Sequence, residues 1–179
     1  MLNSEKKVAV IYKSKYGSTK GYAEWIARDV DGDLFESSKI SIEDLANYDT
    51  IVFGGSLHAV GITGVKLITD NFEKLRNKKI IVFAIGCSPV KEEAIEHVKN
   101  HNFAVDIRDK IEFFYLRGAF NYNKLKFIDK IMMFLLKRKL KNKKQELDED
   151  SKGLLASYDN PVDWTDEKAI VPLVKYIME

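Results

Sequence analysis

Five strand-like runs that alternate with helical segments constrain the fold of this chain more than any other feature. The runs lie at residues 8–12, 33–36, 50–54, 79–85 and 111–116. Helical patterns are expected at residues 18–30, 65–76, 90–100 and 163–178, with a brief capped turn that begins at Ser41. Strands that alternate with helices predict a parallel sheet covered on both faces, with right-handed crossovers. The sequence therefore predicts an open, doubly wound α/β sheet.

A sheet of this kind binds its ligand at the carboxyl ends of its strands. Three loops leave that edge, after Tyr12, after Gly54 and after Ile85. These three loops are therefore the candidate ligand-binding segments.

The first loop is rich in hydroxyl groups and carries one glycine, Gly17. Because it precedes a predicted helix, free backbone N–H groups and the positive end of the helix dipole favour an anion there. The alternative is that Ser18 or Thr19 only caps the helix. The sequence contains no G-x-x-x-x-G-K-[ST] loop, and no G-x-G-x-x-G follows the first strand. Hydroxyl groups in place of glycines favour a terminal monophosphate over a bridging pyrophosphate.

Length and composition are those of one globular domain, which we expect to span residues 1–179. Of these residues, 45% are hydrophobic and 31% are charged. The single cysteine, Cys87, excludes an internal disulfide framework and a multi-thiolate zinc site, and we predict no metal site. The polar start and the lack of a long apolar run lead us to expect a cytoplasmic protein.

The stretch VAVIYKSKYGSTKGYAEWIA resembles the FMN-phosphate loop of the flavodoxin family, a strand followed by S/T-x-x-G-x-T and a helix. The later sequence is similar to the flavodoxin-domain proteins related to menaquinone-dependent protoporphyrinogen oxidase. The shared features are Gly118-Ala119, an aromatic and basic insertion, and Asp163-Trp164. The resemblance implies a flavodoxin-like, five-stranded parallel sheet of order 2-1-3-4-5. A basic helical insertion after the fifth strand would occupy about residues 120–160.

The same resemblance implies FMN as the cofactor, with its phosphate in the first loop and its ring between the second and third loops. The implied phosphate residues are Ser14, Lys15, Tyr16, Gly17, Ser18 and Thr19. The implied ring residues are Ser56, Leu57, His58, Ala59, Val60, Gly61, Gly86, Cys87, Ser88 and Pro89.

The predicted ring loops depart from those of short electron-carrier flavodoxins. They contain no Trp or Tyr, and residues 54–64 and 86–90 contain no Asp or Glu. Since negative charge disfavours the reduced flavin, we expect a less negative reduction potential, which suits a quinone-linked reaction. His58 either bonds to backbone or contacts the ring as a weak catalytic candidate. Cys87 is expected to line the loop, because G-C-S-P lacks the surroundings of a catalytic thiol.

The segment from Lys124 to Lys144 holds nine basic residues and one acid, so its charge is +8 and that of the rest is −6. It is helix-compatible, with an apolar stripe of Ile128, Ile131, Met132, Leu135 and Leu136. One hypothesis is an interfacial helix on an anionic membrane. The alternative is a helix packed on the sheet or on a second subunit. The acids at residues 146–150 and the lack of a recognition motif argue against nucleic acid.

The resemblance implies an FMN-dependent oxidoreductase that passes electrons from a tetrapyrrole precursor to a quinone, and we expect it to be cytoplasmic or peripheral on the inner face of the membrane. A soluble electron carrier for partner proteins is one alternative. A flavin-free interaction module is another. A receiver-domain function is excluded, because Ser14-Lys15 and Gly54-Gly55 stand where its acids would be needed.

Overall fold

The computed structural model of this chain describes residues 6–142 and 149–179. The chain divides into two compact units. The first comprises the described residues up to Gly86, Val90–Leu116 and Asp166–Glu179, and the second comprises Cys87–Pro89 and Arg117–Thr165. The expectation of a single domain stays a prediction, and each unit is described by itself.

The central sheet of the first unit consists of β1 (Val8–Lys13), β2 (Asp33–Glu36), β3 (Thr50–His58), β4 (Gly61–Ile62), β5 (Lys79–Gly86) and β6 (Ile111–Arg117). Its order is β2-β1-β3-β5-β6, and the short β4 pairs only with β3. β1 is parallel to β2 and β3, and β3 is parallel to β5. This confirms the predicted doubly wound sheet, since β5 and β6 are the fourth and fifth predicted strands.

Helices cover both faces of this sheet. They are α1 (Ser18–Asp29), α2 (Lys66–Thr69), α3 (Phe72–Leu75), α4 (Glu92–Asn102), α5 (Val105–Arg108) and, at the end of the chain, α8 (Val171–Met178), with 3-10 turns at Asp44–Asn47 and Glu167–Ile170. Alternate strand residues form two cores. Val10, Val52 and Phe83 pack with Tyr22 and Leu173. The opposite face packs Ile11, Phe53 and Val82 against Leu45, Ile68 and Phe103.

Local sequence signals predicted some ends of helices and turns correctly and others wrongly. The capped turn at Ser41 is confirmed, because the Asp44 N–H donates to Ser41 Oγ and the Ser41 N–H donates to Asp44 Oδ2. The single helix predicted over residues 65–76 is wrong, since the chain forms the short α2 and α3 with a break at Asp70–Asn71. The prediction that Asp163 opens the last helix is also wrong. Asp163 ends a short strand, and its carboxylate accepts bonds from the Thr165 N–H and hydroxyl.

The second unit contains β7 (Ala119–Phe120), a 3-10 turn at Tyr122–Lys124, α6 (Phe127–Lys141), α7 (Glu149–Ala156) and β8 (Val162–Asp163). β7 and β8 are antiparallel, with Ala119 opposite Asp163. Tyr158 organises this unit. Its hydroxyl donates to the Met133 carbonyl of α6 at 2.6 Å, and its ring lies 5.7 Å from that of Phe120.

The α6 helix confirms the predicted helical insertion over Phe127–Lys141, whereas Lys143 and Lys144 lie outside the described residues. Its buried residues are Asp129 and Leu140. The predicted stripe is mainly exposed, with Ile128 at 70%, Met132 at 42% and Leu135 at 57%. Packing of this stripe on the sheet or on a second subunit stays a prediction. Within the second unit, α6 packs through a different face, the one that carries Asp129 and Leu140.

Candidate functional site

The loop after β1 brings the predicted phosphate residues to the start of α1. Gly17 is the N-cap of α1 with a φ of 104°, a conformation that favours glycine. Its N–H donates to Ser14 Oγ at 3.1 Å, which closes the loop on itself. Ser18 and Thr19 lie inside the first helical turn. The alternative that either of them caps the helix is therefore wrong, and Gly17 has no side chain with which to do so.

The charge around this loop favours an anion. The first turn of α1 has no acidic residue, and the loop contributes the cation Lys15, whose ammonium lies 5.6 Å from the Tyr16 ring centroid. Tyr16 is 44% exposed, whereas Thr19 is only 2% exposed. The Tyr16 ring therefore lies at the surface of the loop, whereas the Thr19 side chain is closed to solvent. Backbone N–H groups and the helix dipole add to the positive potential there.

The loop expected after Gly54 is largely a β-hairpin. β3 continues through His58, the chain turns at Ala59 and Val60, and β4 pairs back so that Leu57 faces Ile62 and His58 faces Gly61. The prediction that the third strand ends at residue 54 was wrong, because the uncharged segment that follows satisfies its backbone groups by pairing with itself. Ala59 has a φ of 54°, which is uncommon for a residue with a side chain.

Asn102, the last residue of α4, holds this hairpin in place. Its amide nitrogen donates to the Val60 carbonyl at 2.7 Å and to the Val98 carbonyl at 2.8 Å. Its amide oxygen accepts the Ile62 N–H at 2.8 Å. Sequence reasoning missed this residue, and nothing local marks it, since an asparagine at a helix end is common.

His58 lies at the end of β3 with an exposed side chain. Within residues 6–142 and 149–179, its imidazole has no hydrogen-bond partner. The hypothesis that His58 bonds to backbone therefore finds no support there. Its contact with a ligand stays a prediction.

Gly86 ends β5 beside the base of the hairpin. The β3–β5 register places Ser56 opposite Ile85, so Leu57 and Gly86 are neighbours at the same sheet edge. A Cβ on Gly86 would collide with the Tyr115 hydroxyl and come within 3.1 Å of Leu57 Cδ1. Glycine at this position therefore lets the ends of β3, β5 and β6 approach closely.

Cys87, Ser88 and Pro89 belong to the second unit, and their predicted contact with a flavin ring stays a prediction. Arg117 donates from Nη2 to the Cys87 carbonyl at 3.3 Å, and its guanidinium lies 4.2 Å from the Trp164 ring. The half-buried Trp164 ring therefore makes a cation–π contact with Arg117. Burial raises the pKa of the Cys87 thiol, while Arg117 lowers it. A protonated thiol is a poor nucleophile.

The residues of the first unit fit the phosphate of FMN. β1 and β3 are adjacent and parallel, with Lys13 opposite Gly55, so the loop after β1 and the hairpin after β3 leave the same edge of the sheet. At that edge the Ser14 hydroxyl and the N–H groups of the acid-free first turn of α1 provide donors without a competing carboxylate. Among the described residues, no group of three or more His, Cys, Asp or Glu side chains could hold a metal ion.

The parallel order of the sheet and the loop after β1 define a flavodoxin-like α/β protein. The chain belongs to the flavodoxin domain family, whose model matches residues 9–148.

Solved structures that resemble this chain include a flavodoxin from the domain Archaea, at 10% identity and a TM-score of 0.45, which covers 97% of this chain and 99% of that chain. The two-electron reduced flavodoxin of Megasphaera elsdenii is 17% identical, with a TM-score of 0.46 over 60% of this chain and 84% of that chain. Rubredoxin oxygen:oxidoreductase from the anaerobe Desulfovibrio gigas is 14% identical, with a TM-score of 0.46 over 96% of this chain and 37% of that chain. No curated protein matches this chain by sequence.

Proposed function

We propose that this protein binds FMN and exchanges electrons with a redox partner. The observation that carries the proposal is the loop after β1, where Gly17 at φ 104° and the Ser14 hydroxyl shape an acid-free helix N-terminus. In this proposal Ser14, Lys15, Tyr16, Gly17, Ser18 and Thr19 hold the phosphate. The residues that would hold the isoalloxazine ring are Ser56, Leu57, His58, Ala59, Val60, Gly61 and Gly86.

When bound, FMN supplies the electron-transfer chemistry, and the chain supplies position and electrostatics. The N–H groups of the first turn of α1 and the Ser14 hydroxyl orient the phosphate. The Ala59 and Val60 backbone at the hairpin tip would meet the polar edge of the ring. Asn102 keeps this tip in one conformation, because it bonds to Val60 in the turn and to Ile62 in β4.

Flavin titration of the double variant Ser14→Ala/Thr19→Val tests the phosphate assignment. We expect the Kd for FMN to rise at least about tenfold, because hydrogen bonds to charged groups each contribute roughly 1.5–3 kcal/mol. The Kd for riboflavin, which lacks the phosphate, should stay unchanged. Ser41→Ala, in the capped turn away from the loop, is the control. Equal losses for FMN and riboflavin would show that the loop is not the phosphate site.

The finer proposal is an oxidoreductase that takes electrons from a tetrapyrrole precursor to a quinone. The G-A and D-W pairs, two features of the resemblance, support this proposal. They are neighbours in the β7–β8 ribbon, where Ala119 lies opposite Asp163. The acid-free ring segments also suit an acceptor of higher potential. Because quinones dissolve in the bilayer, the proposal includes a peripheral location on the inner face of the membrane.

Turnover distinguishes this enzyme from a soluble electron carrier. Reoxidation of the reduced flavoprotein by menaquinone, with protoporphyrinogen as donor, is the result expected of the enzyme. Fast reduction by a reductase protein without that turnover would identify a carrier. A colourless protein purified in the cold and dark, which also fails to take up added FMN, would leave only the interaction module.

A further inference from the structure

The outer face of α6 carries six exposed apolar side chains. They are Phe127 (78% exposed), Ile128 (70%), Ile131 (45%), Met132 (42%), Phe134 (53%) and Leu135 (57%), and together they are called the α6 apolar face. Contiguous exposed apolar patches of this kind mark interaction sites rather than ordinary surface.

The second unit holds α6 with this face outward. Residues three, four and seven apart share one side of a helix, so Ile128, Ile131 and Leu135 form a continuous row. Asp129 and Leu140 lie on the opposite side and are buried. The Tyr158 hydroxyl fixes α6 by its bond to the Met133 carbonyl, and the Lys137 ammonium lies 4.8 Å from the Tyr158 ring centroid.

Positive charge continues directly from the α6 apolar face. Arg138 and Lys139 follow Leu135 at the i+3 and i+4 positions, and both are exposed. Lys141 adds a third exposed cation in the last turn. The single acid of α6, Asp129, is buried on the other side. An apolar row that ends in cations is complementary to a surface with an apolar interior and an anionic rim.

We propose that the α6 apolar face inserts into the headgroup boundary of an anionic lipid membrane, with Arg138, Lys139 and Lys141 on the lipid phosphates. An amphipathic helix binds such a surface through its buried apolar area and through attraction to anionic lipid. The outward positions from Phe127 to Leu135 offer no hydroxyl or amide group, whereas an interface with a folded protein ordinarily has a polar rim.

The helix lies on the membrane and does not cross it. α6 has 15 residues, which at about 1.5 Å per residue is shorter than the ~30 Å hydrocarbon core. Among the described residues, none of the helices has the length and apolar character of a membrane span. This docking surface rests on the peripheral location proposed above and names the residues responsible for it. It does not depend on FMN binding. A negative flotation result would therefore leave the FMN proposal intact, and a negative flavin titration would leave the membrane proposal intact.

Vesicle flotation of the full chain tests the proposal. We expect wild type to float with vesicles of phosphatidylcholine plus phosphatidylglycerol and far less with phosphatidylcholine alone. The triple variant Phe127→Ser/Ile131→Ser/Leu135→Ser should remain with the unbound protein. Arg138→Gln/Lys139→Gln should lower partitioning on anionic vesicles, by roughly fivefold for each cation removed.

Matched controls separate the face from general hydrophobicity and charge. Val105→Ser removes a side chain that is 79% exposed in the first unit, and Lys74→Gln/Arg76→Gln removes two other exposed cations. Both controls should float as wild type does. Circular dichroism and Tyr158 burial should show that the triple variant stays folded.

Three outcomes would overturn the proposal. In the first, wild type does not float with either vesicle. In the second, the folded triple variant floats as wild type does. In the third, the lipid-free wild type is a dimer by analytical ultracentrifugation and the triple variant is a monomer, which would make a second copy of the chain the occupant of the face.

Discussion

Gly17 and Gly21 lie four residues apart, but we expect substitution by alanine to have opposite effects on stability at the two positions. An added Cβ meets nothing within 4 Å at either position, but only Gly17 has a positive φ, at 104°. We therefore expect Gly17→Ala to lower the free energy of unfolding by about 1–3 kcal/mol. Gly21→Ala, inside α1, should raise it by about 0.5–1 kcal/mol. Urea denaturation of both variants measures the contrast. Effects of the same sign would contradict the assigned backbone at Gly17.

Cys87 should react slowly with alkylating reagents. Burial raises the pKa of its thiol and Arg117 lowers it, so the folded protein keeps the thiol protonated above the ordinary value of about 8.5. Because the sequence has one cysteine, the pH dependence of iodoacetamide labelling followed by mass spectrometry reports this group alone. Arg117→Gln should raise the apparent pKa further. Arg76→Gln is the exposed control, and fast labelling at neutral pH would be the contrary result.

At the scale of elements, the β3–β4 hairpin depends on a residue of α4. Asn102→Ala removes three hydrogen bonds and leaves the Ile62 N–H without its acceptor, so we expect a loss of about 1–3 kcal/mol in unfolding free energy. Asn100→Ala, exposed in the same helix, should cost less than about 0.5 kcal/mol. Hydrogen exchange at the Ile62 amide should accelerate only in the Asn102 variant. Unchanged exchange there would contradict the positioning role.

Sequence patterns predicted elements whose signals are local. β1, α1 and the Ser41–Asp44 capping box follow from apolar runs, a glycine loop and paired polar side chains over a few residues. The hairpin was missed because its pairing partner, β4, has only two residues and carries no strand signal. The phosphate loop was predicted for the same local reason, whereas Asn102 contacts a hairpin about 40 residues away.

At the scale of the whole molecule, the charge near the proposed ring should set the reduction potential. Residues 54–64 and 86–90 contain no acid. Ala59→Asp adds a negative charge at the hairpin tip, and Asp tolerates the φ of 54°. We expect the potential of bound flavin to become more negative by on the order of 40 mV.

Ala59→Asn, neutral and equally tolerant of this backbone, is the control for that shift. Spectroelectrochemical titration should place its potential with that of wild type. Equal shifts for Asp and Asn would show that backbone geometry, rather than charge, acts on the flavin. A strongly negative potential in wild type would contradict the prediction that segments without acids make the reduction potential less negative.

The doubly wound sheet, its helix-covered faces and the loop after β1 were predictable from the sequence, because they depend on residue periodicity and on neighbours along the chain. The outward face of α6 was not predictable in this way, since the apolar row is equally compatible with a buried or an exposed face. The contacts of Tyr158 with Met133 and the burial of Asp129 and Leu140 settle that direction. The same holds for Asn102 and Gly86, whose roles come from partners distant in sequence, and no local pattern records such partners.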